Sequence, residues 1–189
     1  TQNSMNYNDD YGLYIHSCQN YISPDNVVLR YMQPSENIYH FYKVYGTPGD
    51  PIVVEDQTLT GVKVTNLAKI TLCDSTYITV RNNTVANSGK GIYVDSSDYS
   101  EIINNTATDN DHGIYLNPSD YNKINGNSIR SSTYDGIYLS NSDYNEISGN
   151  TVEWNERYGI QLGSGSKNNN LTQNSMNYND DYGLYIHSC

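Results

Sequence analysis

Charged side chains capable of acid–base chemistry collect in short loops, each ending at a glycine. Asp109, Asp111 and His112 precede Gly113, Asp135 precedes Gly136, and Glu153, Glu156 and Arg157 precede Gly159. Two carboxylates flanking a glycosidic bond are the minimum for sugar hydrolysis. An eliminating enzyme would add a Lys or Arg base, here Arg157. The charges do not recur from loop to loop, which is the pattern of solvated acidic loops. No catalytic residue is assigned on this basis, and an enzyme is not the expectation. Asp98, Asp120 and Asp143 do recur, at a nearly constant interval. Carboxylates stacked about 5 Å apart repel, so either capping of each residue's own turn or Ca²⁺ must offset them. The glycine-rich nonapeptide of Ca²⁺-binding β-rolls is absent. Capping is favoured, and these three are weak metal candidates; no cofactor is expected unless it is Ca²⁺. His40, His112 and the pair His16 and His187 do not cluster in sequence, so a His-built metal site has little support.

These residues must be held by a repeat. The segments S-D-Y-S-E-I-I-N-N-T-A at Ser97, S-D-Y-N-K-I-N-G-N-S-I at Ser119 and S-D-Y-N-E-I-S-G-N-T-V at Ser142 are each followed by a loop and then G-I-Y-L or G-I-Q-L. Looser copies flank them. Gly91, Gly113, Gly136, Gly159 and Gly183 mark the same position in successive copies. A unit this short cannot bury an apolar face alone, so neighbours must stack. Ile, Val and Leu alternate with polar residues at period two, and Asn, Gly, Ser, Thr and Tyr outnumber the helix formers. The fold class is all-β: a parallel β-helix (solenoid) with coils of about 22–24 residues.

Stacking in register turns aligned positions into columns. Four are apolar and point inward: Val80 to Leu171, Val85 to Met176, Ile92 to Leu184, and Val94 to Ile186. Asn83, Asn105, Asn127, Asn150 and Asn174 form an asparagine ladder, whose buried amides need one another as partners. Tyr93, Tyr115, Tyr138 and Tyr185, interrupted by Gln161, form an outward aromatic stripe. It could bind sugar rings or a neighbouring subunit, or only steady the sheet. Tyr77, Tyr99, Tyr121 and Tyr144 form a second stripe. The repeated glycines are expected at positive φ or at a tight corner.

The chain has 189 residues, one Phe and one Trp against 20 Tyr, and a net charge of −11. That charge argues against nucleic acid and anionic membrane surfaces as partners. No apolar run is long enough to cross a bilayer, so no membrane span is expected. Residues 1–18 are identical to residues 172–189. The expectation is a tandem array of near-identical modules running as one solenoid. The chain then divides into 1–18, the end of a preceding copy; 19–69, irregular coils with a loop projecting from about 23–50; and 70–189, regular repeats. Strands are expected at Val27–Tyr31, Ile38–Val44 and Ile52–Val54, with a turn at Gly46–Pro51.

Cys189 is the copy of Cys18, so a module owns two cysteines. A Cys18–Cys73 disulfide would staple the irregular segment and leave Cys189 for the next module or another chain; the alternative is reduced thiols. Disulfides and the sequons at Asn82, Asn104 and Asn170 point to an extracellular protein.

The repeat S-x-Y-N-x-I-x-x-N-x-h followed by G-I-Y-L resembles the right-handed parallel β-helix repeat family. That family includes NosD-like periplasmic proteins, carbohydrate-binding and sugar-hydrolase modules, and large surface proteins of methanogenic archaea. The resemblance covers residues 70–189 well, 1–18 by identity and 19–69 loosely. It implies a structural module of an archaeal cell-envelope layer or sheath that self-associates end to end and laterally. Cell-surface glycans are the alternative partner, and a polysaccharide-degrading enzyme comes third. No family catalytic motif falls on any residue here.

Overall fold

The computed structural model describes residues 13–19, 38–60 and 64–189. Among them every regular element is a β-strand, and every pairing between strands is parallel. Three sheets wrap one core. The first holds β1 (Leu13–Gln19), β2 (Tyr39–Tyr45), β5 (Val64–Cys73), β8 (Ser88–Asp95), β11 (His112–Leu116), β14 (Ile137–Leu139), β17 (Tyr158–Leu162) and β19 (Tyr182–Ile186) in that spatial order. The second runs from β3 (Ile52–Glu55) through β6 (Ile78–Arg81), β9 (Glu101–Ile103), β12 (Lys123–Asn125) and β15 (Glu146–Ser148) to β18 (Asn170–Thr172). The third runs from β4 (Thr58–Leu59) through β7 (Thr84–Ala86), β10 (Thr106–Thr108) and β13 (Ser128–Arg130) to β16 (Thr151–Glu153). Each step within a sheet is one coil along the chain, so this is the parallel β-helix that the periodicity predicts.

The inward columns stack residue on residue. Val80, Ile102, Ile124, Ile147 and Leu171 pair directly, as do Ile92, Ile114, Ile137, Ile160 and Leu184. All but the last coil's members are fully buried. Strands of three residues suffice because one inward side chain per strand meets its equivalents above and below, and β-branched residues fit that pleated surface.

The glycine column works differently from expectation. Gly91, Gly113, Gly136, Gly159 and Gly183 do not adopt positive φ. Their constraint is space: a Cβ on Gly113 would lie 2.6 Å from the carbonyl oxygen of Gly136, and one on Gly91 the same distance from that of Gly113. Positive φ instead falls on Asn82, Asn104, Gly126 and Gly149, beside the asparagine ladder, and on Tyr77, Tyr99, Tyr121 and Tyr144.

In the irregular part, β2 and β3 lie at the expected strands, and Thr47 and Asp50 exchange backbone hydrogen bonds of 3.1 Å across Pro48-Gly49. Residues 20–37, including the strand expected at Val27–Tyr31, lie outside the described residues, as do Met5 and most of the first segment. The disulfide expectation needs correction. Cys18 lies opposite Val44 on β2, whereas Cys73, on the far side of β2, lies opposite Tyr42. Two strand spacings of roughly 4.8 Å separate them, beyond the Cα separation of about 7 Å that a disulfide tolerates. Cys73 and Cys189 are free thiols.

Candidate functional site

The S-D-Y-N turn divides its work among its residues. Ser75, Ser97, Ser119, Ser142 and Ser166 are buried, and their hydroxyls accept the backbone N–H of Val44, Ser75, Ser97, Ser119 and Ser142. Next, the Asp98 carboxylate accepts the backbone N–H of Asp120 at 2.7 Å, Asp120 that of Asp143 at 2.6 Å, and Asp143 that of Lys167 at 2.6 Å. Each Asp thus caps the following coil and not its own turn. That N–H offsets the repulsion between the carboxylates, though burial and its neighbours still hold Asp120 above the usual carboxylate range. The fourth position forms a ladder of its own, Ser100, Asn122, Asn145 and Asn169.

Asn83, Asn105, Asn127 and Asn150 behave alike, and Asn174 closes the ladder. Asn105 donates its side-chain amide to Val80 O at 2.9 Å and to Asn127 Oδ1 at 3.0 Å, and Asn127 Oδ1 also accepts the Asn105 backbone N–H. Asn110, Asn155 and Asn179 build a further set at the third corner. These ladders satisfy turns buried between coils, and they carry no chemistry.

Both tyrosine stripes bring their rings together, the first stacked throughout and the second tilted by 43° between Tyr93 and Tyr115. Tyr77, Tyr99, Tyr121 and Tyr144 have centroid separations of 5.3, 5.1 and 5.1 Å and interplanar angles of 15, 6 and 3°. Their faces are turned to one another, so ring edges and hydroxyls face out. Tyr77, Tyr99 and Tyr121, with Thr47, Pro48, Pro51, Glu101 and Lys123, border a shallow groove of about 290 Å³. On the eight-stranded sheet, Tyr93 and Tyr115 are 5.3 Å apart and Tyr115 and Tyr138 4.7 Å. Tyr185 stacks instead with Tyr158, at 4.4 Å.

Beside the Tyr93–Tyr138 stripe lies a group of charges that the fold brings together from the loops. Lys90, His112, Asp135, Tyr158 and Tyr182 each precede a column glycine, so they form a column. His112 Nδ1 lies 3.5 Å from Asp135 Oδ2, and Arg157 Nε lies 3.9 Å from Asp135 Oδ1. The Asp135 side chain is only 1% exposed, and neither of its oxygens reaches a hydrogen bond of ordinary geometry. Burial pushes its carboxyl up to about 6, against the opposing pull of Arg157 and of the Tyr158 amide. Burial, then Lys90, pushes His112 down to about 4. The imidazole is neutral at pH 7, and its contact with Asp135 is one of charge with dipole. Rings of Tyr115, Tyr134 and Tyr138 surround His112 at 5.3 to 5.7 Å. Lys90 Nζ lies 4.8 Å above Tyr93, and the Arg157 guanidinium 4.5 Å above Tyr158. Burial raises Tyr115 to about 12. Chemically this is a row of fixed cations and phenols, with a neutral imidazole oriented by a buried carboxylate. Asp109, Glu153 and Glu156 do not join it. Reading the column ahead of the glycines would have found Lys90, His112 and Asp135; nothing in the sequence marks Asp135 as buried.

Comparison with known proteins fits this picture. The family model described as "Periplasmic copper-binding protein (NosD)" matches residues 1–132 and 43–188. The chain belongs to the NosD family. No curated protein matches it. Among solved structures, the periplasmic alginate epimerase AlgG is 28% identical over 78% of this chain and 35% of its own, with a TM-score of 0.69. An alginate lyase from Paenibacillus sp. str. FPU-7 is 17% identical over 75% of this chain and 57% of its own, with a TM-score of 0.65, and shows the shared fold. The NosD-family chain therefore spans about a third of the epimerase and just over half of the lyase. The family description names copper, but the described residues do not suit it. No group of three or more His, Cys, Asp or Glu comes together among them. The Cys73 thiol, a natural copper ligand, is pushed up to about 11 by burial, then by Asp95 and Asp74.

Proposed function

We propose that this chain is a rigid β-solenoid module of the cell envelope that binds an acidic polysaccharide along the Lys90–His112–Arg157 face. The observation that carries it is the placement of Lys90 and Arg157 against stacked tyrosines on one flat sheet, in a chain of net charge −11. Cations held over rings are already oriented, so binding orders little. Phenol edges supply hydrogen-bond donors to sugar hydroxyls and carboxylates. Similarity to a periplasmic alginate epimerase supports both the ligand class and an envelope or extracellular location. Titration with alginate at pH 7 tests it. Saturable, salt-sensitive binding is expected, weakened about tenfold or more by Lys90→Ala with Arg157→Ala and kept by Tyr121→Ala on the other face. Equal binding by both variants overturns the reading. Product release abolished by His112→Gln would instead make it an enzyme working through the imidazole.

A scaffold reading, as part of a surface layer or sheath of archaeal type, stands second. The face-to-face stacking of Tyr77 to Tyr144 favours it, because rings engaged with one another stiffen the rod and leave no face for a sugar. Filaments or sheets seen in native envelopes by electron microscopy would support it.

A further inference from the structure

The duplicated segment occupies both edges of the eight-stranded sheet. Residues 13–18 lie in β1 at one edge, and their copies 184–189 belong to or follow β19 at the other. The two are seven strand steps apart. The step from Leu13 to its copy Leu184 is thus a whole number of coils, and it returns the chain to the same sheet in the same phase. The β1 edge shows how this sequence seats on its neighbour: Leu13 opposite Tyr39, Ile15 opposite Phe41 and Cys18 opposite Val44, in parallel register. At the other edge β19 pairs only with β17. There Leu184 and Ile186 are 40% and 57% exposed, while Ile160 and Leu162 of the coil beneath are 0% and 5% exposed. Two apolar residues whose equivalents are buried from Tyr39 and Phe41 through Ile160 and Leu162 therefore lie open on a strand edge, an arrangement that invites pairing. The serine column also runs up to this edge. Cys189 takes the place that Ser119 holds in its own coil: Ser119 Oγ donates to Val94 O at 3.1 Å, and Cys189 Sγ contacts Leu162 O at 3.4 Å.

We infer that the 18-residue segment is a joint shared by consecutive copies of this sequence. The β19 of one copy serves as the β1 of the next, seating Leu184 on Tyr39, Ile186 on Phe41 and Cys189 on Val44 of the following copy. The occupant of the open edge is a second copy, because β1 shows that the same residues fit β2. The result is one continuous solenoid with an axial repeat of seven strand spacings, about 34 Å. The joint extends the scaffold reading, and it stands or falls independently of polysaccharide binding.

The test is a tandem chain in which residues 1–171 precede the full 189-residue sequence, so that two copies share one joint. Small-angle scattering should show a single rod longer than the single chain by about 34 Å, the height of seven strand spacings. Unfolding should be one cooperative transition. Two bodies with variable separation would overturn the proposal. The paired substitutions Leu184→Asp and Ile186→Asp should leave the single chain folded, since both residues are exposed there. Their equivalents in the joint of the tandem chain should split the transition in two and give the rod a hinge. If the joint tolerates them as the free edge does, the two copies are not stacked and the proposal fails. Alginate titration of the single chain separately decides the binding face.

Discussion

The Asp98 carboxylate accepts the backbone N–H of Asp120 at 2.7 Å, one coil further along the chain. Asp120 does the same for Asp143, so a column of like charges is held by the amides between them. What the turn needs at this position is an acceptor and not a charge. Asp120→Asn keeps the acceptor and removes repulsion from Asp98 and Asp143, so stability should be unchanged or slightly higher at pH 7. Asp120→Ala removes the acceptor and should cost about 1 kcal/mol. Urea unfolding of the pair at pH 7 separates the two; equal losses would mean the carboxylate's charge is itself required.

Asn127 carries more. Its Oδ1 accepts two hydrogen bonds from Asn105, and its amide donates to Ile102 O and Asn150 Oδ1. All four are buried. Asn127→Ala leaves the Asn105 backbone N–H and one of its two amide hydrogens without partners, the other staying on Val80 O, and should cost about 2–5 kcal/mol, from one to three for each stranded group. Asn127→Asp keeps the acceptor but loses the donors and buries a charge. It should be nearly as damaging at pH 7 and recover as pH falls. A surface amide such as Asn125 provides the control in the same denaturation series.

Asp135 and His112 set opposing pH slopes. Asp135 is raised from 3.8 to about 6 in the folded chain. The folded state holds this proton more tightly, so its contribution is full below pH 4 and lost as pH rises through 6. His112 is lowered from 6.5 to about 4, so its contribution is full above 6.5 and lost as pH falls through 4. Between pH 4 and 6 the two nearly cancel. Asp135→Asn removes the falling slope: relative to the parent chain, stability should gain with pH across this window, by up to about 3 kcal/mol at pH 7. His112→Gln should show the opposite trend. Denaturation midpoints at pH 4, 5, 6 and 7 for the three proteins measure both slopes.

The fold was legible because each coil repeats one pattern, and alignment alone stacks Ile102 on Ile124 and Asn105 on Asn127. The candidate site was less so. The charges before the glycines look random when read along the chain, and only as a column does Lys90–His112–Asp135 emerge. Asn122 and Asn145 recur one coil apart as plainly as Asn127 and Asn150 do, yet in S-D-Y-N they read as turn residues. Tyr99 and Tyr121 at φ near +55° contradict local preference, since a bulky side chain resists that conformation; stacking between coils overrides it. The column glycines misled in the other direction. Glycine suggests positive φ, but here the next coil's carbonyl fills the space of a Cβ.

Cys73 offers a check on the register itself. It pairs with Tyr42 on one side and Asp95 on the other, and its Sγ lies 3.9 Å from the Asp95 carboxylate. Burial, Asp95 and Asp74 raise the thiol from 9.0 to about 11. Thiolate is the reactive species, so at pH 8 alkylation of Cys73 should run about a hundredfold slower than that of an ordinary thiol. Asp95→Asn should recover part of that rate. Cys189 is exposed and should react first. With β2 standing between Cys18 and Cys73, oxidation should give no bond between them, and Cys73→Ser should leave stability and non-reducing mobility unchanged. Mass mapping of alkylated peptides reads the order of reaction and any crosslink. A Cys18–Cys73 crosslink would mean that β2 does not lie between β1 and β5.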